Sequence, residues 1–526
     1  MINNQKGNVE VSSKTKGISA FEPKILVLGS ILAFLTAGIC MQIIGKVGTT
    51  PNTSIIGAVF AMVFARIPIQ AMKSFKSLER QNLLQTIVSG AGFSAANCGF
   101  IGVAILFIMG EPGYIVPVAI GAIIGSVISV FVVGNIFDSK IFPAQGAWPP
   151  GVATAGAIEA GDQGGDKSKR LLQGLALGVV GSYLKIPVAG IGIVFIANLY
   201  SMIALGVGLI LRGYSNQIFG FDIGATSIPQ GIMIGAGLMA LIQCILVITK
   251  KTKKKEEEEL RITVSDKKAS RTIFASFGLH FAGSLVLALI SGIVGDMGFG
   301  QLVIWVLWTG FSSAVAMLLV GMAAMRSGWF PAFAITTIFM TFGVLMGFSP
   351  LSVAIMTGYI SSTGPCFADM GYDLKTGWIL RGKGLNPEYE CYGRKQQVFI
   401  EAIGVVIGIV TVLIFGTAFM KEGLFPPISN TFATTIQAGG NPALIKELLI
   451  WAVPGAIIQL VFGTKMVGVL FATGLILNNP IYGVGVICAV IARLIFGTEW
   501  MEVRDAGLIA GDGIYGFITS VVKAFF

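Results

Sequence analysis

Charged residues are scarce in this sequence. Only 12% of its 526 residues are Asp, Glu, Lys or Arg, whereas 54% are hydrophobic. Because a soluble domain carries about twice that share of charge, the composition excludes an ordinary water-soluble protein. The net charge of +10 does not indicate a nucleic-acid partner, since the basic residues fall in short polar breaks where membrane topology places them.

The sequence also has only one histidine and no closely spaced pair of cysteines. The single histidine, His280, lies inside an apolar run, where a packed or hydrogen-bonded role is commoner than a ligand role. The six cysteines are scattered without a C-x-x-C pair, which argues against disulfides and against a thiolate metal site. We therefore predict no metal site and no cofactor.

Three motifs of known chemistry are missing as well. There is no H-E-x-x-H, and His280 alone offers no plausible Ser–His pair, so we predict that the chain is not an enzyme. There is no G-x-x-x-x-G-K-[ST] loop, which argues against ATP as a driving force.

Long uncharged runs are what the sequence has in abundance. Each is long enough to cross a hydrocarbon layer: Ile25–Ile44, Gly113–Phe137, Ile186–Leu211, Ile223–Thr249, Met297–Met325, Ala402–Met420 and Met466–Ala492. Glycine is frequent, at 70 residues, and small residues permit close helix contacts and broken helices in membrane bundles. The pattern predicts an all-α polytopic membrane protein.

Charge runs divide the chain into four segments. Residues 1–24 are polar without a cleavable signal pattern, so we predict a cytoplasmic tail followed by an uncleaved anchor from Ile25. The lysine-rich stretch 250–270 predicts a solvated cytoplasmic linker. It separates a first transmembrane repeat, residues 25–249, from a second one, residues 271–526.

Matching blocks in the two halves indicate an internal repeat. Phe142–Gly161 and Phe425–Gly440 both begin Phe-Pro, carry Ala-Thr in the middle and end on Ile-x-Ala-Gly. Upstream of them, Asn82–Phe100 and Ser352–Phe367 are uncharged but rich in Gly, Ser and Thr. Paired interrupted segments of this kind point to a transporter binding site built from broken or re-entrant helices. An even number of crossings per half predicts parallel copies.

The stretch Cys366–Lys383 places charges directly after apolar sequence. Asp369 and Asp373 are four residues apart, so on a helix their carboxyl groups stack on one face, and desolvated like charges favour a bound proton. The alternative is structural: Lys375 or Arg381 neutralises the pair, or the basic end is a cytoplasmic loop that obeys the positive-inside rule.

Four stretches together resemble the oligopeptide transporter superfamily, which includes the yellow-stripe-like metal-chelate transporters. They are Glu79–Cys98 (E-R-Q-N-L-L-Q-T-I-V-S-G-A-G-F-S-A-A-N-C), Phe142–Gly161, Asp369–Gly377 (D-M-G-Y-D-L-K-T-G) and Gly507–Gly516 (G-L-I-A-G-D-G-I-Y-G). They span nearly the whole chain in the family's order. Tyr372 departs from the family pattern, which usually has Gln at that position.

The resemblance implies about sixteen transmembrane segments and secondary active uptake driven by an ion gradient, usually of protons. It implies small oligopeptides or peptide-like metal chelates as substrates. The leading hypothesis is therefore a proton-coupled symporter, and the alternative is an uncoupled facilitator or channel for small polar solutes. We expect a multi-pass protein of the cytoplasmic membrane of a prokaryote, surrounded by lipid and compatible with a homodimer.

We predict two sets of site residues. Side chains that contact substrate are expected at Gln85, Ser89, Asn97, Ser361, Ser362, Thr363 and Tyr372. Coupling residues are expected at Asp369, Asp373 and Lys375. Without a Cys/His/Asp cluster, any metal is expected to travel inside its chelator.

Overall fold

Helices account for the architecture of the chain. The computed structural model describes residues 17–48, 50, 53–66, 70–162, 166–196, 198–249, 262–327, 332–439, 442–501 and 504–525. The helices before the linker are α1 Pro23–Val47, α2 Thr53–Arg66, α3 Leu78–Ser94, α4 Phe100–Met109, α5 Ile115–Ile136, α6 Pro149–Asp162, α7 Asp166–Tyr183, α8 Val188–Ile196, α9 Leu199–Gly213, α10 Ser215–Phe219 and α11 Ile228–Thr249.

The helices after the linker likewise include both long and short elements. They are α12 Asp266–Ser291, α13 Phe299–Ser327, α14 Ala332–Leu345, α15 Pro350–Leu380, α16 Pro387–Lys421, α17 Pro427–Ala438, α18 Pro442–Phe462, α19 Val467–Ile476, α20 Pro480–Phe496 and α21 Arg504–Phe525. No β-strand occurs within the described ranges.

Among the described residues, seven helical segments are long and apolar enough to cross a membrane, by length and composition. Shorter apolar helices accompany them, and the prediction of an all-α polytopic membrane protein is confirmed. The count of sixteen segments stays a prediction. Most of the linker, residues 250–261, and residues 1–16 of the N-terminal tail lie outside the described residues.

Two of the uncharged runs are not single spans. Ile186–Leu211 forms α8 and α9, because Asn198 starts a new helix by accepting a hydrogen bond from the Tyr200 N–H. Met466–Ala492 forms α19 and α20, and Pro480 opens the second of these at a first-turn position that suits proline.

The first of the two Gly/Ser-rich segments is interrupted in the structure. A π-helix at Ala95–Gly99 separates α3 from α4 while the backbone continues in one direction. π-helical turns inside α-helices are frequent at functional sites. Asn82–Phe100 therefore contains irregular backbone of the predicted kind.

The second segment, Ser352–Phe367, is predicted to be a broken helix, but the structure shows it unbroken. It belongs to the continuous helix α15, even though Pro365 lies inside it. The hydroxyl groups of Thr357 and Ser361 donate to the carbonyls of Val353 and Gly358 within the helix. Ser and Thr that bond backward in this way remain compatible with a buried helix.

The corresponding segments of the two halves run in opposite directions. Along α3, Gln85 and Ser89 meet Asp373 and Asp369 of α15 in reverse order, so these helices are antiparallel. The expectation of parallel copies is therefore wrong for these segments.

The short helices α6 and α17 lie at opposite ends of the bundle. Gly151 of α6 contacts Tyr372 and Lys375 near the C-terminus of α15, whereas Pro427 of α17 contacts Gly48 at the C-terminus of α1. Since α1 and α3 run parallel, with Gly29 against Leu84 and Ile87 and Gly92 against Thr36 and Cys40, these positions lie toward the two ends of the bundle. We name them the Lys375 end and the Gly48 end.

The described part of the linker returns to the Lys375 end. The N–H and Oγ1 of Thr263 donate to Oδ2 of Asp138, over 3.0 and 2.7 Å. The guanidinium of Arg394, in the first turns of α16, donates to the same threonine over 2.8 Å. The second half is thereby attached where α5 ends and α16 begins.

Candidate functional site

The centre of the molecule is the buried helix α15. Every residue from Ser352 to Trp378 is buried, including two aspartates and a lysine. Asp369 and Asp373 are one helical turn apart and both face α2 and α3. Ionisable side chains sealed inside a membrane bundle are costly, and they mark substrate or ion pathways.

Hydroxyl groups of α2 and α3 bind the first aspartate. Oδ1 of Asp369 accepts hydrogen bonds from the hydroxyls of Ser89, at 3.0 Å, and Thr53, at 3.4 Å. Thr53 is the first residue of α2. The partial positive charge of a helix N-terminus therefore lies beside this carboxyl group.

The second aspartate has a neighbouring set of donors. Oδ1 of Asp373 accepts from Ser54 Oγ at 2.7 Å and from Gln85 Nε2 at 2.6 Å. The Ser54 and Ser89 hydroxyls are 3.0 Å apart. One hydrogen-bonded group thus connects both aspartates to α2 and α3.

A third carboxyl group enters from α16. Glu401 is fully buried, and a Cβ placed on Gly90 of α3 would lie 2.6 Å from its Cγ. Glu401 interacts electrostatically with Asp373 and Asp369. Three carboxyl groups from two helices therefore surround one stretch of α3.

Most of the carboxyl oxygens in this cluster lack a hydrogen-bond partner. Within the described part of the chain, Oδ2 of Asp369, Oδ2 of Asp373 and both oxygens of Glu401 make no hydrogen bond. No Lys, Arg or His of the described residues donates to these three groups. Buried carboxylates without a cation are strongly disfavoured relative to their protonated forms. We name Asp369, Asp373 and Glu401 the carboxyl cluster.

Lys375, predicted to act in coupling, points away from the carboxyl cluster. Its ammonium group donates to the carbonyls of Ala144 and Gly146, at 2.7 and 3.1 Å, and lies 4.5 Å from the Trp378 ring centroid. Lys375 thus holds the loop that leads into α6.

Arg381 is likewise engaged elsewhere. Its Nε and Nη2 donate to the two carboxylate oxygens of buried Glu390, at 2.8 and 3.0 Å. Its Nη1 donates to Gln397 at 2.8 Å and to Asn82 at 3.4 Å. This bidentate pair joins α15 to α16 and α3 at the Lys375 end.

A small cavity at that end approaches the carboxyl cluster. It has a volume of about 20 Å³, enough for one water molecule, and Glu79, Asn82 and Arg381 line it. Asn82 Nδ2 donates to Gln85 Oε1 at 3.3 Å, and Gln85 in turn donates to Asp373. Polar side chains therefore connect this cavity to the cluster.

The residues predicted to contact substrate fall into separate places. Gln85 and Ser89 donate hydrogen bonds to the carboxyl cluster, to Asp373 and Asp369 respectively. Asn97, in the π-helix, accepts from Thr50 Oγ1 at 2.9 Å, and Tyr372 packs edge-on against Trp148.

Three further predicted residues face a different part of the bundle. Ser361 and Ser362 donate back to carbonyls of α15, and the Ser362 carbonyl accepts from Ser126 of α5. Thr363 donates to the Ser313 carbonyl of α13. These hydroxyls connect helices, and the structure does not bring them to the carboxyl cluster.

Sequence reasoning missed Thr53 and Ser54 as site residues and did not single out Glu401. Glu401 borders a long apolar run, and this position could have indicated a buried functional carboxylate. Other carboxylates at the ends of apolar runs have the same position, so the sequence did not distinguish Glu401 from them. Thr53 and Ser54 carry no signal in the sequence, because their role comes from the position of the α2 N-terminus against α15.

In a polytopic helical protein, an ionisable cluster buried at the centre of the bundle indicates a functional site. Residues 22–249 match the family described as OPT oligopeptide transporter protein. The match covers less than half of the chain, and over these residues the predicted resemblance is confirmed. No curated protein matches the chain.

Members of this family are transporters rather than enzymes, so the prediction of a non-enzymatic, multi-pass membrane transporter is confirmed. The family implies an oligopeptide or peptide-like substrate.

Proposed function

We propose that this protein is a proton-coupled symporter that imports small oligopeptides or peptide-like metal chelates across the cytoplasmic membrane of a prokaryote. The observation that carries the proposal is the carboxyl cluster. Its groups are buried without a cation among the described residues, and four of their oxygens lack a hydrogen-bond partner. Such groups bind protons in preference to holding several adjacent charges.

The hydrogen bonds around Asp373 suggest how a proton acts on the bundle. An ionised carboxyl only accepts hydrogen bonds, whereas a protonated one also donates. Loss of a proton strengthens the bonds from Ser54 and Gln85, and gain of a proton weakens them. Protonation can thereby loosen α15 from α2 and α3, which is the type of two-state element that coupled transport needs.

The roles of the remaining predicted residues follow in this proposal. Gln85, Ser89 and Asn97 present polar groups beside the cluster and the π-helix, where a peptide-like substrate can contact them. Lys375 acts as a positioning residue for the loop before α6. The uncoupled facilitator is less well supported, because a polar path alone requires no buried carboxyl groups.

The test is uptake into proteoliposomes under an imposed pH gradient. The parent protein should accumulate substrate above equilibrium. Three variants are assayed separately: Asp369→Asn, Asp373→Asn and Glu401→Gln. At least one of them should accumulate substrate at least about tenfold less than the parent while it retains counterflow exchange.

Asp296→Asn is the matched control, because this aspartate is exposed and should leave accumulation unchanged. Parent uptake that only equilibrates substrate, whatever the pH gradient, would establish the facilitator instead.

A further inference from the structure

A second polar site lies at the Gly48 end, away from the carboxyl cluster. It is a cavity of about 320 Å³ between α1, α7, α20 and α21. Charged and polar side chains line it, including Lys46, Lys185, Glu422, Asn479, Tyr482 and Asp512. Its volume is at the lower end of the range for small-molecule sites, roughly 300–1,000 Å³, which suits a compact ligand.

The wall of this cavity carries charges of both signs. Lys46 and Asp512 form an ion pair at 3.3 Å, with side chains 18% and 1% exposed. Tyr482 lies beside Asp512 and interacts with it electrostatically. Lys185 and Glu422 are exposed at the cavity rim. Asp512 therefore becomes available to a ligand's cationic group if Lys46 turns away.

We propose that this cavity binds the zwitterionic ends of a short peptide. The peptide carboxylate binds Lys46 and Lys185, and its ammonium group binds Asp512 and Glu422. A zwitterion supplies one charge of each sign, so the cavity stays electrically balanced when the ligand replaces the Lys46–Asp512 contact. The inference rests on the proposed transport of peptides, and it names where their termini are first bound.

The position of the cavity fits a binding site that precedes coupling. Along α1, Lys46 is six residues beyond Cys40, or about 9 Å at the helical rise. A Cβ on Gly92 of α3 would contact Cys40 at 2.9 Å, and Gly92 is three residues from Ser89 of the carboxyl cluster's surroundings. The bound peptide and the proton site are thus separate but share α1 as a wall.

The experiment measures equilibrium binding of trialanine, N-acetyl-trialanine and trialanine amide to the purified full-length protein. Lys185→Gln and Asp512→Asn should each weaken trialanine binding about tenfold, as expected for a lost hydrogen bond to a charged group. Each blocked peptide should bind the parent about tenfold more weakly than trialanine does.

Pairing the variants with the peptides gives the sharpest result. Asp512→Asn should not weaken N-acetyl-trialanine further, because that ligand has no ammonium group, and Lys185→Gln should not further weaken the amide. Lys268→Gln, an exposed lysine outside the cavity, is the control and should bind trialanine as the parent does. Lys185 is exposed, so its variant tests the site even if Asp512→Asn does not fold.

Several outcomes would overturn the proposal: no binding of trialanine to the parent, equal affinity for the blocked peptides, or no effect of Lys185→Gln. Uptake assays on the same variants separate this failure from failure of the symport proposal. Accumulation driven by pH with unaltered binding in both variants would reject the cavity site alone. Binding that follows the pattern above without pH-driven accumulation would reject proton coupling alone.

Discussion

At the scale of single residues, the side chain of Glu401 packs against Gly90 of α3, where only a residue without a side chain fits. Gly90→Ala would place a Cβ 2.6 Å from Glu401 Cγ. We expect this variant to lose about 1–3 kcal/mol of stability, the usual cost of overpacking, and to transport less. The midpoint of thermal unfolding in detergent measures the first effect.

Gly300→Ala is the matched control for that substitution. Gly300 is also helical and exposed, and no atom lies within 4 Å of the position that a Cβ would take there. Alanine at this position should leave the unfolding midpoint unchanged or slightly raised, since alanine favours helices. Equal behaviour of the two variants would contradict tight packing of Glu401 on α3.

The sequence predicts the relative position of the two aspartates of this site, but it does not predict the partners of Lys375. The spacing of Asp369 and Asp373 is enough to place them on one helical face, and the structure has them there. It cannot show that Lys375, only two residues from Asp373, bonds carbonyls of a loop more than two hundred residues earlier. Contacts of that kind depend on how helices are arranged in space.

At the scale of elements, the loop before α6 depends on one lysine. Lys375→Met should leave the carbonyls of Ala144 and Gly146 without their buried donor, a loss of about 1–3 kcal/mol. We expect a lower unfolding midpoint and slower uptake. The pH dependence of uptake should keep its shape, because the ammonium group does not contact the carboxyl cluster.

Lys383→Met is the control for Lys375→Met, since Lys383 is an exposed lysine just beyond α15. It should match the parent in stability and in rate. A change in the pH profile of Lys375→Met as large as that of Asp373→Asn would contradict the positioning role and restore the coupling role.

The two Gly/Ser-rich segments show why element type was only partly predictable. Composition is similar in both, yet α15 stays helical through Pro365, whereas the α3–α4 segment contains a π-helix. Ser and Thr can either disrupt a helix or bond back to it. Their neighbours in the folded bundle decide which, and composition carries no information about those neighbours.

At the scale of the whole molecule, Lys185 and Lys383 lie at opposite ends of the bundle. Lys185 lines the cavity at the Gly48 end, and Lys383 follows α15 at the Lys375 end. Cysteines introduced at these two positions, in a chain without its native cysteines, should react with an impermeant maleimide from opposite faces of the membrane. Reaction of both from one face would contradict this arrangement.

The long apolar runs were sufficient to predict the class of fold, because helix length and hydrocarbon thickness set the same scale. The direction of the second half was not predictable from them. The opposite directions of α3 and α15 become visible only from the contacts between them, Gln85 with Asp373 and Ser89 with Asp369.

The lack of a cationic partner among the described neighbours of the carboxyl cluster has an electrical consequence. In the proposed symport, a proton carried there is not offset by a lysine or arginine among these neighbours, so a zwitterionic peptide and its proton together would move one net positive charge. An inside-negative voltage would then contribute about 2.3 kcal/mol per 100 mV to import. Trialanine added to proteoliposomes on a solid support should produce an inward current even at equal pH, and Asp373→Asn should diminish it. Electrically silent uptake would show that another charge moves with the proton.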